Sequence, residues 1–308
     1  MKYKKWLDVW LENYVKQSVK RRTYLRYKEI ANDHIKGSLG ETETGRITPL
    51  LLQTFAATLT ESGNVITGRG LSANSVNAIL SVVKSSLKAA YISGETKKYS
   101  GGNVKRPMPS EKNVTCFTFN EQKKIEAAVS AKKGKAFGIT LCLYTGLRLG
   151  ELLSLTWQDI DFKSGVLTVN KTCYDGKDEI GVFSRITGAP KTASSNREIP
   201  LPAGILNMLR QHKKSARDEY VISGGKKPVY VRSYQRSFEL LLKKLKIRRK
   251  GFHALRHTFA TRALESGMDV KTLSEILGHK NPSVTLTRYV HSMLDHKKAM
   301  MNRLGKLL

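Results

Sequence analysis

Apolar positions in the first hundred residues recur at three- and four-residue spacing, the pattern of amphipathic helices. Trp6, Val9, Trp10 and Tyr14 mark a first stripe. A second helix is expected from about Thr23 to His34. Thr48 has the chemistry of a helix cap, and Pro49 suits the first helical position, with Leu52, Phe55, Ala56 and Leu59 on one face. Ser72 opens a fourth helix, whose stripe is Val76, Ile79, Leu80, Val83, Leu87 and Ala90. Between Ser93 and Lys112 the pattern breaks. Glycines, serines, Pro107 and Pro109 interleave there with Lys97, Lys98, Lys105 and Arg106. Such a stretch reads as a linker or as an ordinary surface loop, and its length and charge favour a linker that lies along phosphates. Beyond it the chain is mixed. Helices are expected over Asn120–Ser130 and Lys135–Tyr144, then strands over Gly165–Asn170, Val182–Ile186 and Arg197–Leu201. After Pro202 helices return, including Val231–Leu245, His253–Ser266 and Val270–Leu277. The expected fold class is mainly α with a small antiparallel β-sheet. The expected domains are a helical one over 1–95, a basic linker over 96–112 and a mixed α/β one over 113–308, a division that suits 308 residues.

Composition adds a partner. Lys and Arg total 54 against 25 Asp and Glu, a formal charge of +29. So large an excess repels itself and answers to a polyanion. No segment approaches the ~20 apolar residues of a membrane span, and Met1 to Glu12 is charged and amphipathic rather than a signal peptide. Nucleic acid is therefore the leading partner and a membrane is not expected; the bland alternative is a ribosomal or merely basic protein. Cys116, Cys142 and Cys173 form no CxxC pair, so neither a zinc site nor a disulfide framework is indicated. Cys142 sits in an apolar run and reads as core. A cytoplasmic location is expected.

Several stretches carry residues with chemistry. In Thr145-Gly146-Leu147-Arg148-Leu149-Gly150-Glu151-Leu152 an arginine stands between two glycines. Gly146 and Gly150 permit tight turns and close backbone approach. Arg148 is then either a functional cation or a capping, salt-bridging arginine. His253-Ala254-Leu255-Arg256-His257-Thr258-Phe259 opens a helix. His253 and Arg256 are three apart and share a face near its N-terminus, a place suited to an anion. His257 points elsewhere and reads as a core histidine or as one that supports the site from behind. Leu277-Gly278-His279 ends the next helix with Gly278 as the stop, which leaves His279 in a turn. Ala189-Pro190-Lys191 and the residues up to Arg197 read as a hairpin loop that could carry an ammonium to a groove edge; Lys171 and Lys177 are rivals to Lys191. Thr287-Arg288-Tyr289-Val290 follows, although a lone tyrosine is nearly always structural and this chain has 12.

Taken in order, TGLRLGE, PKT with Arg197 after it, HALRH, LGH and RY resemble the tyrosine recombinase family, also called phage integrases, across the C-terminal two-thirds of the chain. The likeness is greatest to integrases of phages and conjugative elements. The resemblance implies a mixed α/β catalytic domain and a catalytic set of Arg148, Lys191, His253, Arg256, His279 and Tyr289. Glu151 occupies the acidic position that usually follows the first arginine. The N-terminal region resembles, less specifically, the helical core-binding (SAM-like) domain of these enzymes, above all in Gly70-Leu71-Ser72-Ala73-Asn74-Ser75-Val76. A preceding arm-site-binding domain is expected to be absent, because the first helix begins almost at Met1.

The chemistry so implied makes sense of the residues. Arg148 and Arg256 would bond the nonbridging oxygens of a DNA phosphate and stay charged at any working pH. His279 would donate a further hydrogen bond. His253 is the candidate base for Tyr289, and Lys191 the candidate acid for the 5′ oxygen that leaves. No cofactor and no metal are expected, since the arginines supply the charge and no carboxylate cluster or P-loop is visible. The expected partners are double-stranded DNA at recombination sites, further copies of the chain in a homotetramer on DNA, and a DNA-bending accessory protein. Met300, Met301, Leu304, Leu307 and Leu308 form a terminal stripe that packs either on its own domain or on a neighbouring protomer. A Xer-like resolvase, a type IB topoisomerase and a non-catalytic DNA-binding protein remain as alternatives.

Overall fold

The computed structural model describes residues 1–110, 115–130, 134–177, 181–189, 196–223, 229–279, 281, 283, 301, 302 and 305. The chain divides into two compact units, Met1–Lys112 and Asn113–Leu308.

In the first unit, α1 (Tyr3–Trp10) runs through a π-helical turn, Leu11–Val15, into Lys16–Ser18. The next helix, α2 (Arg21–Ile30), likewise runs through Ala31–Ile35 into Lys36–Leu39. Both wide turns fall where buried residues are spaced by four: Leu11 and Val15, then Ala31, Ile35 and Leu39. A π turn holds more residues than the 3.6 of an α turn, so it keeps that spacing on the inward face. The remaining helices are α3 (Pro49–Ser62) and α4 (Ala73–Ile92). Thr48 Oγ1 accepts from Leu51 N at 3.2 Å and Ser72 Oγ from Ser75 N at 3.3 Å, so both expected caps form. Every expected stripe residue of α3 and α4 is buried. The first stripe needs correction. Val9 and Tyr14 are exposed, whereas Tyr3, Leu7, Leu11 and Val15 are buried beside Trp6 and Trp10. The inward face of α1 is centred on the 3-7-11-15 row, a fraction of a turn from the face read along 6-9-10-14.

The basic stretch after α4 lies against this unit as far as Pro107. Val104 is buried, Lys105 N donates to Gln53 Oε1 (3.0 Å), Asn77 Nδ2 donates to Pro107 O (2.9 Å) and Lys84 Nζ donates to Val104 O (3.1 Å).

The second unit begins with α5 (Phe119–Ser130), α6 (Phe137–Thr145) and the short α7 (Leu149–Ser154). Five strands follow: β1 (Ile160–Asp161), β2 (Val166–Val169), β3 (Thr172–Lys177), β4 (Phe183–Gly188) and β5 (Arg197–Pro200). They form two small antiparallel sheets among the described residues, one ordered β1-β2-β5 and the other β3-β4. In the first, Leu167 faces Ile199 and Val169 faces Arg197. Among the described residues there follow α8 (Ala203–Lys214), α9 (Val231–Lys244), α10 (His253–Glu265) and α11 (Val270–Leu277). α6 is apolar all round and buried from Phe137 to Leu143, which makes it the central helix of the unit. The segment leading into α5 grips α10: Phe117 N donates to Thr258 Oγ1 (2.8 Å) and Arg262 Nη2 donates to Phe117 O (3.2 Å). Asp175 of β3 caps α9, accepting from Val231 N (3.0 Å) and Arg232 N (2.9 Å), and so fixes the β3–β4 hairpin. Among the described residues no helix is long and apolar enough to cross a membrane.

Gly150 lets α7 lie directly on β3. A Cβ there would stand 2.5 Å from Cys173 O and 2.6 Å from Thr172 Oγ1. A backbone oxygen cannot swing away, so Gly150→Ala should destabilise the protein by about 1–3 kcal/mol. A denaturant midpoint that falls at unchanged slope would report this; an unmoved midpoint would show that α7 slides freely over β3.

Candidate active site

α6 ends at Gly146, which has φ 64°. A side chain there would strike Phe259 Cδ1 at 2.6 Å and Leu277 Cδ2 at 2.8 Å, so both the conformation and the space require glycine. The tight turn delivers Arg148 to the start of α7. Glu151 reaches back to it: Oε2 accepts from Arg148 N (2.9 Å) and Oε1 from Arg148 Nη1 (2.8 Å). The capping and salt-bridging reading of Arg148 is therefore correct as far as it goes. Its side chain nevertheless remains 36% exposed, against 3% for Glu151.

A second arginine holds the same carboxylate. Arg197, at the start of β5, donates from Nη1 to Glu151 Oε1 (3.1 Å) and from Nη2 to Glu151 Oε2 (2.8 Å). Burial pushes the Glu151 carboxyl upward, but Arg197 and then Arg148 outweigh it and hold the group below the ordinary carboxylate range.

The third support is the C-terminal turn of α11. Gly278 closes that helix with φ 63°, as its sequence implied; its N–H donates to Glu275 O and that of His279 to Ser274 O. The next three carbonyls each accept from a different arginine: Ile276 O from Arg197 Nε (2.6 Å), Leu277 O from Arg256 Nη2 (2.6 Å), and Gly278 O from Arg148 Nη2 (3.3 Å). Carbonyls at a helix C-terminus lack helical partners and carry the negative end of its dipole, so they suit cations.

Arg256 is only 2% exposed. Besides Leu277 O it donates to Gly146 O (2.8 Å) and to His279 Nε2 (3.0 Å). Arginine has no acceptor, so this contact puts the His279 proton on Nδ1. A donor role for Nε2 toward a phosphate would require that bond to be given up. His253, the first residue of α10, is exposed and meets the His257 ring edge-on at 4.6 Å. The two residues expected to share a face thus divide, Arg256 turning inward while His253 stays at the surface.

Lys191 and Tyr289 lie outside the described residues, as does the terminal stripe apart from Met301, which is 65% exposed. The strands on either side of Lys191 do not pair with each other among the described residues: β4 belongs to one sheet and β5 to the other, which departs from the expected hairpin. Of its rivals, Lys171 is bound to Asp159 Oδ2 (2.9 Å) and Thr156 Oγ1 (3.0 Å), whereas Lys177 ends β3 exposed. Arg197 stands in the motif series after PKT, but sequence reasoning assigned it no role in the site. A signal was present: in the alternation Arg197-Glu198-Ile199 the arginine shares a face with the buried Ile199, and a core-facing arginine needs a buried partner.

In a chain of net charge +29, arginines gathered around a histidine-bearing turn form a site suited to an anionic group. Residues 116–296 match the phage integrase family, and residues 2–60 match the phage integrase N-terminal SAM-like domain. The chain belongs to the phage integrase family and is a tyrosine-type site-specific DNA recombinase. It is 31% identical to a tyrosine recombinase XerC-like protein of Caldanaerobacter subterraneus subsp. tengcongensis, over 98% of this chain and 82% of that one. To the ICEBs1 integrase of Bacillus subtilis it is 26% identical, over 92% of this chain and 78% of that one. The structure of the Tn1549 transposon integrase with transposon right end DNA superposes with a TM-score of 0.82 at 22% identity, over 99% of this chain and 100% of that one.

The buried carboxylate makes stability depend on acid. Glu151 has a folded pKa below its unfolded value of about 4.3, so its contribution is complete above that value and is lost as pH falls through the folded one. Glu151→Gln should therefore be less stable than the parent at neutral pH, and the gap between their urea midpoints should close below about pH 4. A gap that persists unchanged into strong acid would mean that the carboxylate is not held by its arginines.

Proposed function

We propose that Tyr289 attacks a phosphate of one DNA strand, forming a 3′-phosphotyrosine and releasing a 5′-hydroxyl, and that a 5′-hydroxyl from another strand then reverses the step to complete the exchange. The observation that carries this reading is the suspension of Arg148 and Arg256 from adjacent carbonyls, Gly278 O and Leu277 O, directly before His279. Two guanidiniums held from one turn suit the nonbridging oxygens of one phosphate, where charge grows in the transition state. A phenol with a pKa of about 10 is ionised only about once in a thousand near neutral pH, so His253 serves as its base. Lys191 protonates the departing 5′ oxygen, and His279 and His257 support from the turn and from behind His253. The phosphodiester energy is kept in the tyrosyl bond, so no ATP enters the cycle.

Each chain supplies one nucleophile, and exchange between two duplexes cuts four strands, so a homotetramer on DNA assembles the reaction, with a bending protein where the site must fold back. Residues 1–95 then serve as the core-binding domain, 96–112 lie along phosphates and 113–308 carry the chemistry. The likeness to the ICEBs1 integrase over 92% of the chain favours integration and excision of a mobile element, phage-borne or conjugative. The likeness to the XerC-like protein supports the second reading, resolution of chromosome dimers. Either substrate places the enzyme at the bacterial nucleoid, in the cytoplasm.

Incubation with a nicked recombination-site duplex, followed by denaturing electrophoresis, tests the assignment. Tyr289→Phe should bind the duplex and form no covalent adduct. Arg148→Ala and Arg256→Ala should each slow cleavage by ~10²–10³ with binding largely retained. An adduct formed by the phenylalanine variant would move the nucleophile elsewhere. Binding itself should be steeply salt-dependent: if the +29 charge meets ~6–10 phosphates, affinity should drop about 10³–10⁵ between roughly 50 and 200 mM salt. A shallow slope in filter-binding or fluorescence titrations would show that most of the charge stays off the DNA.

A further inference from the structure

Arg197 has no place in the catalytic set that the family resemblance assigns, yet it grips the same two supports as Arg148: the Glu151 carboxylate and the C-terminal turn of α11. The two arginines differ in exposure. The Arg197 side chain is 5% exposed and that of Arg148 36%. They differ also in their hold on the carboxylate. Arg197 spans both oxygens with two nitrogens, whereas the Arg148 guanidinium reaches one oxygen. One buried negative charge can neutralise only one of the two guanidiniums. The geometry gives that part to Arg197, whose planar fork matches the carboxylate edge away from water. The charge left over belongs to Arg148, at the surface.

We propose that Arg197 is a positioning residue: it takes the larger share of the Glu151 charge, so that Arg148, which touches the carboxylate through one oxygen, keeps most of its charge for the DNA phosphate, and it ties the start of β5 to α11. Without it the existing Arg148 contact has to balance the buried carboxylate alone. The site then loses a positive charge while keeping Arg148. This inference rests on the reading that Arg148 meets the reacting phosphate.

The same arrangement gives the pH response of a variant. The groups facing Glu151 are Arg148 at the start of α7, Arg197 of β5 and the Cys142 thiol of α6; Asp159 and Lys171 line the small cleft beside it. Burial raises the Cys142 thiol, so it stays neutral. Asp159, which burial would raise, is brought below its ordinary range by Thr156 and Lys171, so it stays charged. With Arg197 gone, burial acts on Glu151 against Arg148 alone, and Glu151 becomes the group that takes up a proton as pH falls.

Single-turnover cleavage of a nicked-site duplex by the full chain, at saturating protein, tests this. Arg197→Met should be slower by ~10², in the range of losing a transition-state donor. Adding Glu151→Gln should restore at least about tenfold of that loss, because an amide no longer claims the charge of Arg148. Arg197→Lys, which keeps the charge and loses the fork, should fall between the parent and Arg197→Met. The rate of Arg197→Met relative to the parent should rise as pH is lowered from about 8 to about 6. A merely structural arginine predicts the reverse: a double variant no faster than Arg197→Met, and a flat ratio across pH. Either result overturns the proposal. If Arg197→Met does not fold, as judged by its thermal melt, the double variant decides alone: a rate within about tenfold of the parent supports the proposal, and a rate as low as that of Arg148→Ala overturns it. Arg148→Ala run in parallel separates the two levels, since normal cleavage by that variant would remove the underlying reading of the site and the proposal with it.

Discussion

The last turn of α11 offers the carbonyls of Ile276, Leu277 and Gly278 in succession, and Arg197, Arg256 and Arg148 each donate to one of them. Guanidiniums gathered this closely repel one another, and the repulsion grows as water is excluded. The negative end of the helix dipole and the Glu151 carboxylate offset it. Everything else that positions the site serves this gathering. Gly146 lets α6 turn tightly under Phe259 and Leu277, and Gly278 closes α11 in a conformation that frees its carbonyls. Gly150 allows α7 to lie on β3, which brings Glu151 within reach of β5. The carboxylate therefore contributes less as a net stabiliser than as a fixed point: a buried ion pair is a weak source of stability, while removing one partner from it is expensive.

Surface charge has a different part. The side chains of pairs such as Lys2 with Glu41 and Lys16 with Glu12 are exposed, and pairs of this kind contribute little to folding. Most of the excess of Lys and Arg has no acidic residue to meet, since 54 bases face 25 acids. The charge that organises the site is buried and exact in its partners; the charge that draws the protein to a polyanion is spread out and screened by salt. Losing a surface lysine and losing Arg197 are thus different kinds of change.

Local features were legible in the sequence because local physics decides them. The caps Thr48 and Ser72, the stripe of α4 and the bounds of α11 with its glycine stop all follow from propensity and spacing. The ordered motifs also brought Arg148, Arg256, Glu151 and His279 together, as the structure does. What escaped depends on tertiary pairing. Arg197 gains its meaning only when β5 pairs with β2 and its side chain meets an acid 46 positions earlier. The strand β3, Thr172–Lys177, alternates too weakly to announce itself, and α7 is too short for a periodic signal. The rotated face of α1 belongs with these, since a wide apolar stripe can be read along more than one row.

A structure of the protein bound to an uncleaved DNA half-site would test whether the α11 turn aims these arginines. The scissile phosphate should lie within hydrogen-bond distance of both Arg148 and Arg256, with Arg256 still on Leu277 O and Arg197 still across Glu151. A phosphate held by other side chains, or arginines that leave the α11 turn to reach it, would contradict the claim that this turn aims them.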